Sequence, residues 1–321
     1  MRRSRSAALG ASFLATIAVV GAAGGGAIVA AHEPPTVRIA SDDFYESELM
    51  AEIYAQALTA AGFTVERQYR LGSRAVRAAA FESGQVDLVP EYVGSGLGHY
   101  ADAEGQLEAV AALEVTTDGE VNRANLQAAY DLLGIEATVL GITPGEDKNV
   151  AVVRRQTAEE LGLDSLSDVA AVQDQLRFGL PPECDINPFC AGALEAYGIT
   201  YPPRQRETLP PCSGPMVDAL VGEAIDLGWL CSTQPPIVLD DFVVLADELD
   251  TQGAENVAPV VRDDFLAGVD GGADTIAGIL DPVSAAITTE VLFDLGLRIA
   301  VDQVDIEDVA ADFLASLEAT S

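Results

Sequence analysis

Residues 86–98 read "VDLVPEYVGSGLG". Val86, Leu88 and Val89 make a short apolar run of the kind that forms a buried strand, Pro90, Glu91 and Tyr92 mark its end, and Gly94, Gly96 and Gly98 follow as a glycine-rich turn. A strand running into glycines is how a phosphate-cradling loop begins. Here the spacing is G-x-G-x-G, however, and His99 stands where a dinucleotide fingerprint needs its last glycine. The residues at the end of this strand therefore call for a ligand other than a nucleotide.

Upstream, "VRIA" (37–40) is a short strand. The segment after it reads as a turn and a helix, with Leu49, Ile53 and Ala57 in one four-residue row, Met50, Tyr54 and Leu58 in the next, and Gly62 as the stop. "FTVERQY" (63–69) alternates as a strand, and Ser73 caps a second helix that runs to Glu82. Strand, helix, strand, helix, strand is the signature of a parallel sheet covered by helices.

Downstream, a helix around "NRANLQAAYDLLG", strands at "ATVL" and "NVAVV" and helices near 157–161 and 167–175 lead into a second α/β unit. There "LRFGL" is a strand, "AGALEAYG" a helix, Pro215 opens another helix after a Ser213 cap, and "AIDLGWL" is the next strand. The stretch "ALVGEAIDLGWLCS" echoes "AFESGQVDLVPEY": each has a helix-ending glycine, a short spacer and an apolar-Asp-Leu strand. The echo predicts two similar lobes in which Pro90–Tyr92 and Trp229–Thr233 occupy equivalent places. Ligands of open parallel sheets sit beyond the carboxyl ends of the strands, so two such lobes facing each other make a cleft. The strand "FVVLAD" from Phe242 is expected to carry the chain back, giving a first lobe of residues 36–142 and 244–321 and a second of 143–243. The final helix places Ile306, Val309, Ala310, Phe313 and Leu317 on one face, a core stripe.

The chain has 321 residues, 51 of them acidic and 17 basic, for a formal charge of -34. So acidic a chain repels nucleic acid and anionic membranes, which sets nucleic-acid functions aside. Acids spread along the whole sequence suit a saline milieu that screens their repulsion. Residues 1–31 carry a basic start (Arg2, Arg3, Arg5), an uncharged run of about 25 residues and small residues at 29–31, the pattern of a cleaved signal peptide or a retained anchor. The protein is expected to be exported, either periplasmic or cell-surface associated. Its four cysteines, Cys184, Cys190, Cys212 and Cys231, lack the short C-x-x-C hooks of zinc or redox sites and read as two structural disulfides. Three pairings are possible; we expect Cys184 with Cys190 and Cys212 with Cys231. No metal and no cofactor is expected. The only histidines are His32 and His99, and no G-x-S-x-G elbow occurs, so the protein is expected not to be an enzyme.

Several stretches, in order over most of residues 36–317, resemble the substrate-binding proteins of ABC importers for glycine betaine, choline, carnitine and related osmoprotectants: "IASDDFYESELMAEIYAQALTAAGFTVERQYRLGSRAV", "AAFESGQVDLVPEYVGSGL", "EDKNVAVVRRQTAEELGLDSLSDVA", "LRFGLPPECDINPFCAGALEAYGI" and "NVAPVVRDDFL". The resemblance implies a two-lobed, periplasmic-binding-protein-like (type II) α/β fold, each lobe a sheet flanked by helices, hinged so that the lobes close on a small-molecule solute. It also implies a monomer that hands its solute to ABC permease subunits in the membrane; a different cationic or zwitterionic solute, or a sensor role, is the alternative. A quaternary ammonium cannot donate a hydrogen bond and is bound by aromatic ring faces.

Tyr92 matches the tyrosine of a "PEYTGT"-like motif in such proteins and is implied as one wall of the site. Elsewhere the pattern departs. Asp42 stands for a lysine and Tyr45 for a threonine of an "SK-x-F-T-E-Q" segment, Asn149 for a tyrosine, and Cys231 for the aromatic that heads a motif written "CSTQ" here. The binding set expected from these motifs is Ser41, Phe44, Tyr45, Tyr92, Asn149, Trp229, Ser232 and Thr233, with Tyr45 and Trp229 as substitute walls. The departures favour a choline-like or weakly anionic solute.

Overall fold

The computed structural model describes residues 35–319 apart from 102, 104 and 183; the expected signal or anchor at 1–31 lies outside the described residues. Among these residues, ten strands form two five-stranded sheets. The first sheet holds β1 (Val37–Ala40), β2 (Val65–Gln68), β3 (Leu88–Tyr92), β4 (Ala137–Val139) and, much later in the chain, β10 (Val257–Arg262). The second holds β5 (Asn149–Arg154), β6 (Phe178–Leu180), β7 (Arg206–Thr208), β8 (Leu227–Cys231) and β9 (Phe242–Val244).

The two sheets are ordered β2-β1-β3-β10-β4 and β7-β6-β8-β5-β9. In each, the first three strands are parallel and the fourth is antiparallel to both of its neighbours. The internal echo is thus real in three dimensions, with β3 and β8 in the same central place. Its aspartates explain themselves. Asp87 accepts the Arg38 backbone N–H at 2.9 Å and its Nε at 2.7 Å, and Asp226 accepts the Arg177 backbone N–H at 2.8 Å and its Nε at 3.0 Å. In each lobe one carboxylate entering the central strand clamps an arginine at the start of the neighbouring strand, a charge-assisted bond that helps fix the register.

Each sheet is covered on its faces by apolar residues. In the first lobe, helix α1 (Tyr45–Ala60) and the helix Ile306–Glu318 bury Leu49, Ile53, Val309 and Phe313 on one face, while Leu97, Leu126 and Tyr130 pack on the other. The second core gathers Val152, Phe178, Leu194, Leu220 and Leu227.

Two expectations change. Strand β9 does not return to the first sheet: Phe242, Val243 and Val244 pair with Arg154, Val153 and Val152 of β5. Burial decides this, because Phe242 is buried in the second core and Leu245 N donates to Ala151 O at 2.9 Å. The chain recrosses only between β9 and β10. There it runs antiparallel to the outgoing crossing, with Glu146 bridged to Asn256 and Asp147 N donating to Glu255 O at 3.1 Å. These paired segments are the hinge.

The glycines after β3 form helix α3 (Val93–Ala101), following helix α2 (Arg74–Glu82), and not a turn. A Cβ on Gly94 would stand 2.6 Å from the Ala254 carbonyl, and one on Gly96 would stand 2.7 Å from Glu91 Cγ. Close approach of the helix to the hinge and to Glu91, rather than backbone freedom, requires glycine there.

Candidate functional site

The carboxyl ends of β3 and β8 face one another across the hinge, and a cavity of about 170 Å³ lies between them. The first lobe lines it with Phe44, Arg74, Tyr92 and Ser95, the hinge segments with Asp147 and Glu255, and the second lobe with Asn149, Pro181, Asn187, Phe189, Pro211, Cys212, Trp229 and Cys231. Four aromatic rings thus converge, two from each lobe.

Tyr92 ends β3, and its ring lies 5.8 Å from that of Phe44, tilted by 37°. Its hydroxyl donates to Glu46 Oε1 at 2.8 Å, which anchors the ring where it lines the cavity. Trp229 is 2 % exposed and sits in mid β8, where the alternation of the strand points it at the cavity from the second lobe.

Below this aromatic wall lies a buried charge cluster. Arg77, 1 % exposed, donates to Asp42 at 2.8 Å and to Glu91 at 2.7 Å. Arg74 donates to Glu91 at 3.1 Å and to Ser95 Oγ at 3.0 Å. Burial opposes the charge on Glu91, but Arg77 and Arg74 outweigh it and hold its pKa below the ordinary carboxylate value. Buried charges persist when paired in this way.

The hinge carboxyls behave in the opposite sense. Glu255 accepts Ser95 N at 3.1 Å and Ser95 Oγ at 3.0 Å, and burial, only partly offset by Arg74, pushes its pKa up to about 7. Asp147 accepts Thr233 N at 3.0 Å and Ser232 Oγ at 3.3 Å; burial raises its pKa despite those donors. Glu46 is raised well above the ordinary value by burial and by Asp147. The cavity is therefore lined by aromatic side chains and bordered by carboxyls that a cationic ligand would help to ionise.

Of the residues expected at the site, Phe44, Tyr92, Asn149 and Trp229 line this cavity, and Ser232 and Thr233 stand behind it, holding Asp147. Ser41 and Tyr45 do not line it. The buried Ser41 hydroxyl accepts the Arg70 N–H at 2.9 Å, anchoring the chain after β2. Phe44 and Tyr45 are consecutive at the mouth of α1, so their side chains diverge. Phe44 takes the cavity, and the Tyr45 hydroxyl is buried 3.1 Å from where a Cβ on Gly296 would stand.

Phe189, Arg74, Asp147 and Glu255 escaped the sequence reading. Phe189 alone carried a signal, as the one aromatic inside the proline-rich loop that bears Cys184 and Cys190. The two disulfides join Cys184 to Cys190 and Cys212 to Cys231. Among the described residues, no group of three or more His, Cys, Asp or Glu side chains is placed to hold a metal ion. His99 packs edge-on against Tyr100, with centroids 4.9 Å apart, while Ser95 Oγ is engaged by Arg74 and Glu255.

A profile of the family described as "Substrate binding domain of ABC-type glycine betaine transport system" matches residues 35–316. The chain is 28% identical over 289 residues to a glycine-betaine-binding protein of Pseudomonas aeruginosa, covering 87% of each. It is 27% identical over 288 residues to the glycine betaine-binding protein YehZ of Escherichia coli, covering 87% of this chain and 89% of that one. The solved apo structure of the Escherichia coli protein superimposes with a TM-score of 0.61 at 24% identity, over 89% of this chain and 99% of that one. A crystal structure of a glycine betaine/carnitine/choline ABC transporter protein does so with a TM-score of 0.67 at 18% identity, over 87% and 98%. With its two sheets, hinge and inter-lobe cavity, the chain belongs to the family of substrate-binding domains of ABC-type glycine betaine transport systems.

Proposed function

We propose that this chain captures a small quaternary-ammonium solute outside the cell, in the cavity between its lobes, and delivers it to the permease subunits of an ABC importer. The observation that carries the reading is the convergence of Phe44, Tyr92, Phe189 and Trp229 on one cavity. Ring faces attract a methylated ammonium by about 0.5–2 kcal/mol each, and a ligand gripped by two rings from each lobe favours the closed state. The family membership supports the transport role, and the basic, then uncharged, start of the sequence supports export.

Within that class the wall favours a choline-like solute over a betaine. Asp147 and Glu255 border the cavity, and the one cation among its described lining residues, Arg74, is already engaged by Glu91 and Ser95. A ligand carboxylate would meet two carboxyls and compete for a committed guanidinium. Calorimetric titration of the exported protein with choline, glycine betaine, carnitine and proline betaine tests this. Choline is expected to bind most tightly. A preference for a carboxylate-bearing betaine would overturn the choline assignment, and binding of none of the four would overturn the ligand class.

A further inference from the structure

The second lobe's half of the cavity is held in shape by sulfur. Cys212 and Cys231 both line the cavity, beside Trp229 and Asn149. Cys231 ends β8 and pairs in register with Asn149, and Cys212 Sγ lies 4.0 Å from the Asn149 side-chain oxygen. Their bond pins the loop that carries Pro211, another lining residue, onto the end of β8. Cys212 also has φ 51°, a left-handed conformation unusual for a residue with a side chain, which needs a surrounding structure to hold it.

The other disulfide differs in access. Cys184 and Cys190 are 0 % and 1 % exposed and belong to the second core. Cys212 and Cys231 are only half-buried and face the cavity. Thiol–disulfide exchange needs an attacking thiolate to reach a sulfur, so a reductant entering the cavity meets one disulfide and not the other.

We propose that the Cys212–Cys231 disulfide is a redox-gated wall of the solute site: the bound solute shields it from reduction, and reduction weakens solute binding. The proposal rests on the quaternary-ammonium reading of this cavity. The reductant is a dithiol. One of its thiolates attacks Sγ of either cysteine, the other cysteine leaves as a thiolate, and the second thiol of the reductant then closes on the mixed disulfide. Two electrons and two protons pass to the protein, giving two cysteine thiols and one oxidised dithiol. Without the bond the loop at Pro211 and Cys212 is released from β8, and the wall beside Trp229 loses its fixed shape. The coupling is reciprocal by thermodynamic necessity: the factor by which reduction weakens binding is the factor by which saturating solute disfavours reduction.

The test uses the full exported chain and two probes, choline and glycine betaine. Mild dithiothreitol treatment followed by alkylation and peptide mass analysis is expected to label Cys212 and Cys231 before Cys184 and Cys190. Saturating probe should suppress that labelling at least tenfold, and the selectively reduced protein should bind the probe at least tenfold more weakly. The double variant Cys212→Ser with Cys231→Ser should show the same loss of affinity with no further response to dithiol. Equal affinity in the two redox states overturns the proposal and leaves the ligand reading standing. Binding of neither probe in the oxidised state overturns the ligand reading; the labelling order then decides the wall assignment, which simultaneous labelling of both pairs overturns.

Discussion

The Thr233 hydroxyl donates a 2.6 Å hydrogen bond to Glu46 Oε2, joining the loop after β8 in the second lobe to the first turn of α1 in the first. Its backbone N–H holds Asp147 on the hinge at the same time, and the other oxygen of Glu46 accepts from Tyr92. One threonine thus links both lobes, the hinge and, through Glu46, a ring of the cavity. Thr233→Val removes the hydroxyl and keeps the shape. A hydrogen bond contributes about 1 kcal/mol net, so choline affinity should fall about fivefold. Calorimetric titration reads this directly, and an unchanged affinity would mean that the bond plays no part in closure.

The aromatic wall separates ring from hydroxyl. Tyr92→Phe keeps the ring face but frees Glu46 from one donor, whereas Phe189→Ala removes a ring that is only half-buried and so contributes little to the core. We expect Phe189→Ala to lower choline affinity by about 2- to 30-fold, corresponding to about 0.5–2 kcal/mol for one ring, with little change in Tm. Tyr92→Phe should retain most of the affinity and Tyr92→Ala should lose it. The reverse order in the Tyr92 pair would show that the hydroxyl, not the ring, holds the solute.

Glu255 gives the pH dependence. Its folded pKa is raised from 4.5 to about 7 by burial, so the folded state keeps a proton that the unfolded chain releases. The stability it contributes is fully present below about pH 4.5 and is lost as pH rises through about 7. Glu91 and Asp226, both held below their ordinary values, act in the other sense and lose their contribution as pH falls. Urea denaturation should show wild-type stability declining between pH 5 and 8. Glu255→Gln should remove part of that decline, at most about 3 kcal/mol. A variant with the same slope as wild type would show that Glu255 is not the group responsible.

Most of the fold was legible because burial leaves periodic marks. The apolar runs of β3 and β8 and the four-residue rows of α1 are such marks, and the repeated apolar-Asp-Leu motif exposed the two-lobe plan through Asp87 and Asp226. What escaped was set by contacts distant in sequence. Gly94 and Gly96 read as turn formers because local propensity cannot register the Ala254 carbonyl and the Glu91 side chain that leave no room for a Cβ. Asp147 and Glu255 were invisible among 51 acidic residues, since only their burial distinguishes them from a solvated surface. Phe44 lines the cavity and Tyr45 does not, because adjacent residue names do not say which of two aromatic side chains reaches it. Tyr92, read from a motif, and Trp229, read as a substitute wall, both line the cavity, whereas the hinge residues that border it left no mark in the sequence.

The acid excess predicts how stability responds to salt. Many of the cations are already committed to carboxylates, among them Arg38 to Asp87, Arg67 to Glu52, Arg154 and Arg177 to Asp226, and Arg298 to Asp312. With 51 acids against 17 bases, carboxylates outnumber cations three to one, and their mutual repulsion opposes the compact state. Salt acts on both terms. Surface pairs are worth about 0–1 kcal/mol each and weaken as they are screened, but unpaired acids outnumber them, and the Debye length falls from about 10 Å at 0.1 M to about 3 Å at 1 M. Screening of repulsion should win. Tm is expected to rise by several degrees between 0.1 and 2 M KCl, with sucrose at matched osmolality separating screening from solute exclusion. A Tm that stays flat or falls in KCl would show that the ion pairs, not the unpaired carboxylates, dominate the surface electrostatics.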